Sequence, residues 1–275
     1  MLRFPAVAGT FYPDNPQKLT QQIRSFARSE NAPEEISCRA CLVPHAGYAY
    51  SGHVAAAVYQ RIALPKRIIV LGVRHFPQGA EAAILSEGSW RTPLGDVPID
   101  SELAAKIAQA CPLLREDSIA HEREHSLEVQ LPFLQVLDPG FSFVPIALGT
   151  IQFDQLVTIG EALGGILAAE PEVLLLTTSD FNHYQDDATT RRKDHLAIEQ
   201  ILNLDPRGLF DACRKEKISM CGLGPTVAML TALKIIRSNH AELAKYATSA
   251  DVSGDTSTVV GYGGLLFRSS SNNPV

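Results

Sequence analysis

The stretch Leu42-Val43-Pro44-His45-Ala46-Gly47-Tyr48-Ala49-Tyr50-Ser51-Gly52 decides how the rest of the chain is interpreted. The apolar run Ala40 to Val43 predicts a buried strand, and Pro44 ends it because proline has no N–H to donate to a sheet. A glycine-permitted turn then leads into a helix predicted over His53 to Ile62. In open α/β sheets, ligands bind outside the carboxyl ends of the strands. His45 is therefore a candidate site residue.

The same arrangement occurs twice more along the chain. The apolar run Arg67 to Gly72 leads to His75, and the run Val173 to Ser179 leads to Asp180 and His183. A single histidine in this position is often structural, but metal sites draw ligands from several elements. Three such strand ends predict one polar site at the rim of one sheet.

Alternating strand and helix patterns predict the α/β class, with a central, mostly parallel or mixed sheet. The run Val173 to Thr178 lacks alternation, which favours a central strand covered on both faces. Asn15 and Asp205 are predicted helix caps, and either Asp100 or Ser101 is predicted to cap a third helix. Three segments are predicted as irregular or loop: Trp90 to Ile99, Leu113 to Ala120 and Ser179 to Tyr184. Two further strands are predicted over Ala244 to Val252 and Thr258 to Phe267.

Size and charge narrow the functional classes. The 275 residues contain no Pro/Gly/Ser linker, which predicts a single domain over 1–268 and a disordered tail over 269–275. A net charge of −6 argues against nucleic acid as a partner, since phosphate binding needs clustered Lys and Arg. No apolar run reaches the roughly 20 residues that span a bilayer, so no membrane partner is expected. Met1 to Pro5 lacks the apolar core of a signal peptide, and a cytoplasmic location is expected.

The chain has five cysteines, an odd number that favours free thiols. Cys38 and Cys41 form a CxxC, but on a predicted strand they face opposite sides, which disfavours a shared metal or a disulfide. Cys221 precedes the glycine-rich entry to a helix predicted over Pro225 to Ile236. The positive end of that helix favours a thiolate, the form that binds metal, although a plain buried cysteine is an equal alternative.

The pentapeptide His121-Glu122-Arg123-Glu124-His125 matches HExxH, in which two histidines on one helix bind zinc and the glutamate is the base. No helix N-cap signal precedes this pentapeptide, and Pro132 follows His125 closely. The alternative is a solvated helix entry at His121 to Arg123. Glu124, His125 and Glu128 would then form one inward face.

Several motifs, taken together and in order, resemble the Memo family, the homologues of the mediator of cell motility that are called AmmeMemoRadiSam system protein B in prokaryotes. They span nearly the whole chain: Gly9-Thr10-Phe11-Tyr12, Pro44 to Gly52, Leu71-Gly72 to His75, Arg91-Thr92-Pro93-Leu94-Gly95, Glu124-His125-Ser126-Leu127-Glu128, Ser179-Asp180-Phe181 to His183, Cys221-Gly222 and Gly261-Tyr262.

The resemblance implies a layered αβα fold similar to that of class III extradiol dioxygenases, which are non-haem iron enzymes. It implies His45, His75 and Cys221 as metal ligands, and it places His183 at the position of the dioxygenase base, beside Asp180. Two imidazoles and a thiolate suit one transition-metal ion, with iron expected first and copper or zinc as alternatives. Glu124, His125 and Glu128 are then expected to orient the ligands.

The functional hypothesis is a metal-binding, dioxygenase-like oxidoreductase whose substrate the sequence does not identify. One alternative is a vestigial site in a protein that binds a peptide or small ligand, with a groove lined by Phe11, Tyr12, Tyr48, Tyr50 and Trp90. The other is an HExxH zinc metallopeptidase. Relatives often carry Gly-Pro-Ser/Asn-His where this chain has Gly72-Val73-Arg74-His75, so Arg74 either adds a charge to the site or points away. The sequence does not indicate an oligomeric state.

Overall fold

The apolar runs that end in candidate site residues lie side by side in the middle of one mixed sheet. The computed structural model describes residues 1–26 and 35–268. Its strands are β1 (Leu2–Arg3), β2 (Ala40–Val43), β3 (Arg67–Val73), β4 (Ala82–Ile84), β5 (Ser89–Thr92), β6 (Gly95–Pro98), β7 (Arg115–Glu116), β8 (Ser142–Leu148), β9 (Leu174–Thr178), β10 (Asp180–Gln185), β11 (His240–Thr248) and β12 (Val259–Arg268).

The helices pack on both faces of this sheet. They are α1 (Pro16–Phe26), α2 (Tyr48–Tyr59), α3 (Ser101–Ala110), α4 (Ile119–Glu122), α5 (Leu131–Leu137), α6 (Phe153–Ala169), α7 (Asp187–Leu202), α8 (Pro206–Lys215), α9 (Leu223–Ile235) and α10 (Ala250–Ser253), with a 3-10 turn at Glu128–Gln130. Within the described ranges, no helix combines the length and the apolar character that a membrane crossing needs.

The order of strands in the large sheet brings the predicted site residues together. The order is β10-β12-β2-β9-β3-β8-β4-β7, with β11 also paired to β12. Strands β2, β9, β3 and β8 run parallel, whereas β12 and β4 are antiparallel to their neighbours β2 and β8. Thr177 is in register with both Leu42 and Leu71, so the three central strands end almost level. The residues that follow them therefore meet at one edge.

Side chains of the central strands alternate between two hydrophobic cores. Leu42, Leu71 and Leu175 belong to the core beneath α3, α6, α7, α8 and α9. Their neighbours Val43 and Val70 belong to the opposite core, beneath α1, α2 and α5. Each fully buried Leu or Val side chain contributes about 1.5–3 kcal/mol to the free energy of folding. The predicted αβα class and the central position of β9 are confirmed.

The segment Trp90 to Ile99, predicted as irregular, is a β-hairpin of β5 and β6. Trp90 and Thr92 are buried while Arg91 between them is exposed, which is the alternation of a half-buried strand. Gly95 has φ 119°, which a glycine adopts without strain, and it closes the turn. The hairpin forms a small second sheet with β1.

The predicted loop from Ser179 to Tyr184 is also wrong, because it forms β10. This strand pairs with β12 through Asp180 and His183, and the register shifts on both sides of His183. A β-bulge leaves a residue unpaired and redirects its side chain. The irregular pairing explains why the sequence shows no strand periodicity here.

Smaller differences concern where elements begin and end. Helix α2 begins at Tyr48 rather than His53, with Gly47 as N-cap. The predicted loop Leu113 to Ala120 carries β7 and the start of α4, and the predicted strand Ala244 to Val252 is the end of β11 followed by α10.

The three predicted caps are confirmed, since Asn15, Asp100 and Asp205 each accept a backbone N–H from the first turn of the following helix. The five cysteines are free. The predicted tail over 269–275 lies outside the described residues.

Candidate metal centre

His45, His75 and Cys221 come together at the edge where the central strands end. His45 follows β2, His75 follows β3, and Cys221 lies just before α9. One nitrogen of each imidazole and the Cys221 sulfur all lie within 4.8 Å of one another. The three residues that the motif resemblance implies as ligands thus share one small volume.

His45 is held by Thr178 at the end of β9, which contacts the ring, and by Asp180 at the start of β10, which contacts the backbone. Its Nδ1 lies 2.9 Å from Thr178 Oγ1, and its backbone N–H donates to Asp180 Oδ1 at 2.8 Å. Nε2 is directed at Cys221 Sγ, 3.1 Å away. The side chain is 1% exposed, and burial together with the charge of His75 holds the pKa of His45 well below its usual range. His45 is therefore a neutral imidazole with Nε2 facing the centre.

The His75 ring is held by the carboxylate of Glu124. Its Nδ1 lies 2.9 Å from Glu124 Oε1, and its backbone N–H donates to Oε2 at 2.6 Å. Burial alone would raise the pKa of Glu124, but hydrogen bonds and charge from His75 and His125 outweigh burial and lower it to about 2. Because an ionised carboxylate only accepts hydrogen bonds, Nδ1 of His75 carries the proton and Nε2 is left to bind a ligand.

Cys221 occupies the predicted position before a helix, but its surroundings do not favour the thiolate. Gly222 caps α9, so the sulfur lies near the positive end of that helix. Burial and the neighbouring Asp180 nevertheless raise the pKa of the Cys221 thiol. The backbone N–H of Asp180 points at the sulfur from 3.3 Å. A cation at the site would offset the cost of ionising this partly buried thiol.

The donor set fits one transition-metal ion. Bond lengths of zinc to nitrogen and sulfur imply ligand-to-ligand separations of roughly 3.3–3.8 Å in a tetrahedral site. The 3.1 Å between His45 Nε2 and Cys221 Sγ and the 4.8 Å limit for the set bracket these values. Small side-chain rotations would therefore bring all three atoms to bonding distance. Nitrogen and sulfur donors suit iron, copper or zinc rather than magnesium or calcium.

His125 lies beside the candidate metal centre, in contact with both histidines. Its ring stacks on His75 with centroids 4.6 Å apart, and it meets His45 edge-on at 5.6 Å. Burial and the charge of His45 lower the pKa of His125 to about 4. His75, Glu124 and His125 form a second group with metal-ligand spacing. The prediction that Glu124 and His125 face inward is in keeping with this geometry.

Asp180 and His183, the predicted proton-handling pair, lie on β10 beside the three ligands. Asp180 Oδ2 is 4.0 Å from His45 Nε2, and burial raises the pKa of the Asp180 carboxyl. His183 is half-buried, and its Nδ1 lies 2.9 Å from the carbonyl oxygen of Ser219. The structure thus brings these two side chains to the same edge.

Glu128 differs from its predicted role, because it contacts no histidine ligand. Its carboxylate is buried and forms an ion pair with Arg3. It also accepts hydrogen bonds from the Tyr12 hydroxyl at 2.6 Å and from the backbone N–H of Ala6 at 2.8 Å. Glu128 therefore anchors the N-terminal segment. Glu128 does not share a face with Glu124 because the chain between these two residues is not helical.

The HExxH pattern does not form the zincin geometry. Helix α4 ends at Glu122, so His121 and His125 do not share a helix. His121 is completely buried against Trp90, with ring centroids 5.8 Å apart. Its ring nitrogens make no hydrogen bond of normal geometry within the described part of the chain. Glu122 is exposed. The solvated entry expected for His121 is also wrong.

Most of the aromatic residues proposed to line a binding groove are in the core. Tyr12, Tyr48 and Trp90 are at most 3% exposed, whereas Tyr50 is exposed. Phe11 is half-buried and meets His125 edge-on at 4.8 Å. Arg74 points away from the ligands, since its guanidinium donates to the carbonyl of Gly79 at 2.9 Å.

A cavity of about 860 Å³ borders the centre on the side of His125. The N-terminal segment over residues 1–7 forms one wall, and Phe11, Phe76 and Arg123 contribute to the others. Its volume is in the range typical of small-ligand sites. The sequence predicted an aromatic groove but not this lining, because the N-terminal segment is held there by distant residues: Glu128, the backbone of Glu124 and strand β5.

Comparison with known proteins gives matches over almost the whole chain. A family profile described as "Memo-like protein" matches residues 3–266. A MEMO1 family protein, MK0963 of Methanopyrus kandleri, is 40% identical over 281 residues, which cover 98% of this chain and 99% of the relative. A MEMO1 family protein of Thermotoga petrophila is 40% identical over 285 residues, covering 97% and 100%.

A solved structure shares the fold. The crystal structure of an uncharacterised protein, JW3007 from Escherichia coli K12, aligns with a TM-score of 0.53 over 81% of this chain and 98% of that chain. The two sequences are only 11% identical, so this likeness concerns the fold alone.

Proposed function

The chain belongs to the Memo family, and from this premise we propose that it binds one transition-metal ion through His45, His75 and Cys221 as a dioxygenase-like oxidoreductase. Iron is the expected metal, with copper or zinc as alternatives. The resemblance of the motifs to the family, and through it to class III extradiol dioxygenases, suggests the redox class. The substrate class is not part of this proposal.

One observation carries the proposal: three metal-binding atoms from three separate elements lie within 4.8 Å of one another. Two of them are imidazole nitrogens whose partner nitrogens are already engaged, by Thr178 and by Glu124. Such partners fix the orientation of metal-binding histidines.

The residues around the ligands have separate roles in this proposal. When bound, the metal would supply redox chemistry and open coordination positions. Glu124 orients His75, and Thr178 orients His45. His183 and Asp180 hold or move a proton at the open side. Phe11 and the N-terminal segment form walls of the cavity on the side of His125.

The test is the metal content of protein purified anaerobically. We expect about one ion per chain in the wild type and in Cys38→Ser, a buried cysteine remote from the centre, as for a single closed site. We expect the ion to be lost in Cys221→Ser and in His45→Ala. Equal stoichiometric metal in Cys221→Ser would remove the sulfur from the ligand set.

The alternative of a binding protein without turnover is favoured by the cavity beside His125. It would accept a small molecule or an extended peptide between the N-terminal segment and Phe76. Oxygen consumption with catechol-type substrates separates the two functions. Turnover that disappears in His45→Ala supports the oxidoreductase, whereas stoichiometric metal without turnover favours the binding role.

A further inference from the structure

We propose that Asn182 and Ser219 are positioning residues that hold His183 as the tautomer protonated on Nδ1, with Nε2 as the proton acceptor beside the candidate metal centre. Only the role of Nε2 as a proton acceptor beside a metal rests on the proposed function. The fixed tautomer itself follows from contacts of the described residues.

The tautomer is set by the partner of Nδ1. This nitrogen lies 2.9 Å from the carbonyl oxygen of Ser219, and a carbonyl can only accept a hydrogen bond. Nδ1 must therefore carry the proton, and in the neutral ring Nε2 keeps its lone pair. A free histidine side chain in water prefers the opposite tautomer, so the protein selects the less common form.

Ser219 is held in place by a second set of hydrogen bonds. Its backbone N–H and its hydroxyl both lie 3.2 Å from Asn182 Oδ1. Its Oγ in turn accepts the backbone N–H of His183 at 2.8 Å. Asn182 and Ser219 thus form a clamp that fixes both the backbone and the ring of His183.

Asn182 is itself rigidly anchored. It is 1% exposed, and its Nδ2 donates to Gln185 Oε1 at 3.0 Å. Its backbone N–H donates at 2.8 Å to Asp194 of α7, which also accepts the Tyr246 hydroxyl at 2.7 Å. Through Asp194, Asn182 is therefore connected to helix α7 and to strand β11.

The geometry of β10 directs His183 toward the centre. Register shifts on both sides of His183 free it from regular pairing with β12. Tyr184, the next residue, has φ 60°, a left-handed conformation that is uncommon for a bulky side chain. Such outliers concentrate at functional sites. The carbonyl that holds the His183 ring belongs to Ser219, two residues before Cys221, and Asp180 on the same strand accepts the His45 backbone N–H, so the ring lies beside the centre.

The test reads the tautomer directly in the full chain with ¹⁵N-labelled histidine and without metal. Two-bond ¹H–¹⁵N spectra at about pH 8, where an ordinary imidazole is neutral, distinguish protonated from bare ring nitrogens. The His183 signals are assigned as those lost in His183→Ala. We expect Nδ1–H in the wild type, in Asn182→Asp and in the control Asn203→Leu, an exposed residue. We expect Asn182→Leu to give mainly Nε2–H.

Either of two results would overturn the inference: Nε2–H in the wild type, or a wild-type tautomer ratio in Asn182→Leu. If Asn182→Leu does not fold, Ser219→Ala decides, because it deletes the Oγ bond to the His183 backbone. There a mixture of tautomers supports the clamp, and an unchanged ratio refutes it. The readout needs no metal, so failure to bind metal would refute the proposed function while leaving this result intact.

Discussion

At the scale of single residues, the centre depends on which nitrogen of each histidine is engaged. Thr178 and Glu124 occupy Nδ1 of His45 and His75, so both rings present Nε2 to the same point. The sequence showed that histidines follow strands, but it did not show these partners. Glu124 is 49 residues from His75 along the chain, and no local pattern reports such a contact.

Replacing Glu124 by Gln tests this orientation. All three hydrogen bonds of the carboxylate, from the His75 N–H, the His75 Nδ1–H and the Ser126 N–H, require an acceptor. A glutamine places an NH₂ group against one of these donors, so we expect metal affinity to fall about 10- to 100-fold. Titration of the metal-free protein measures it. Glu122→Gln is the control, and an equal loss there would contradict the assignment.

At the scale of elements, the helices determine how the sheet is covered. Helix α6 packs closely on α9, and glycines make this possible on the contact face. A Cβ on Gly160 would lie 2.5 Å from the Ala228 carbonyl oxygen and 2.5 Å from Thr231 Cβ, whereas a Cβ on Gly165 would meet nothing within 4 Å. Both glycines lie in the same helix, and only the packing distinguishes them.

Substitution of these glycines by alanine should therefore have opposite effects. Gly160→Ala forces α6 away from the α9 backbone, and we expect it to lower the free energy of unfolding by about 1–3 kcal/mol. Gly165→Ala relieves the entropic cost of glycine in a helix and should raise it by about 0.5–1 kcal/mol. Urea denaturation measures both. Equal effects at the two positions would show that α6 and α9 are not in close contact.

At the scale of the whole molecule, we expect stability to depend on protonation and on binding of the proposed metal ion. Asp194 is buried between α7 and the sheet, and burial raises its pKa to about 7. Its folded pKa thus exceeds the unfolded value of 3.8. Between these values the folded state binds more protons than the unfolded state, so the contribution of Asp194 to stability falls as pH rises.

Asp194→Asn should flatten this part of the pH profile. Asparagine keeps an acceptor for Asn182 and a donor for Tyr246 without a charge to bury. Relative to the mutant, the wild type should lose on the order of 4 kcal/mol between pH 4 and pH 7. Denaturation at a series of pH values measures this difference. Asp187→Asn is the control. The hydrogen bond from Arg191 lowers the pKa of Asp187, so the contribution of Asp187 to stability should rise, not fall, with pH. Parallel profiles for wild type and Asp194→Asn would contradict the assignment.

Metal binding should stabilise the whole fold, since the ligands come from three elements that only the folded chain brings together. At a free metal concentration about 100 times the dissociation constant, the expected gain is about 2.7 kcal/mol. Thermal unfolding with and without chelator measures it. The melting temperature of Cys221→Ser should not respond, and an equal rise in that variant would point to a different metal site.

The sequence by itself determined the layered α/β fold, the central strands, the helix caps and the candidate ligands at the strand ends. These features follow from local periodicity, from capping chemistry and from motifs that occur in order. Only the tertiary structure decided that Glu128 pairs with Arg3, that His121 is buried against Trp90 and that His125 stacks on His75. The irregular pairing of β10 with β12 was equally hidden. The physical reason is that these contacts depend on strand order, register and loop closure between distant segments, which no local pattern encodes.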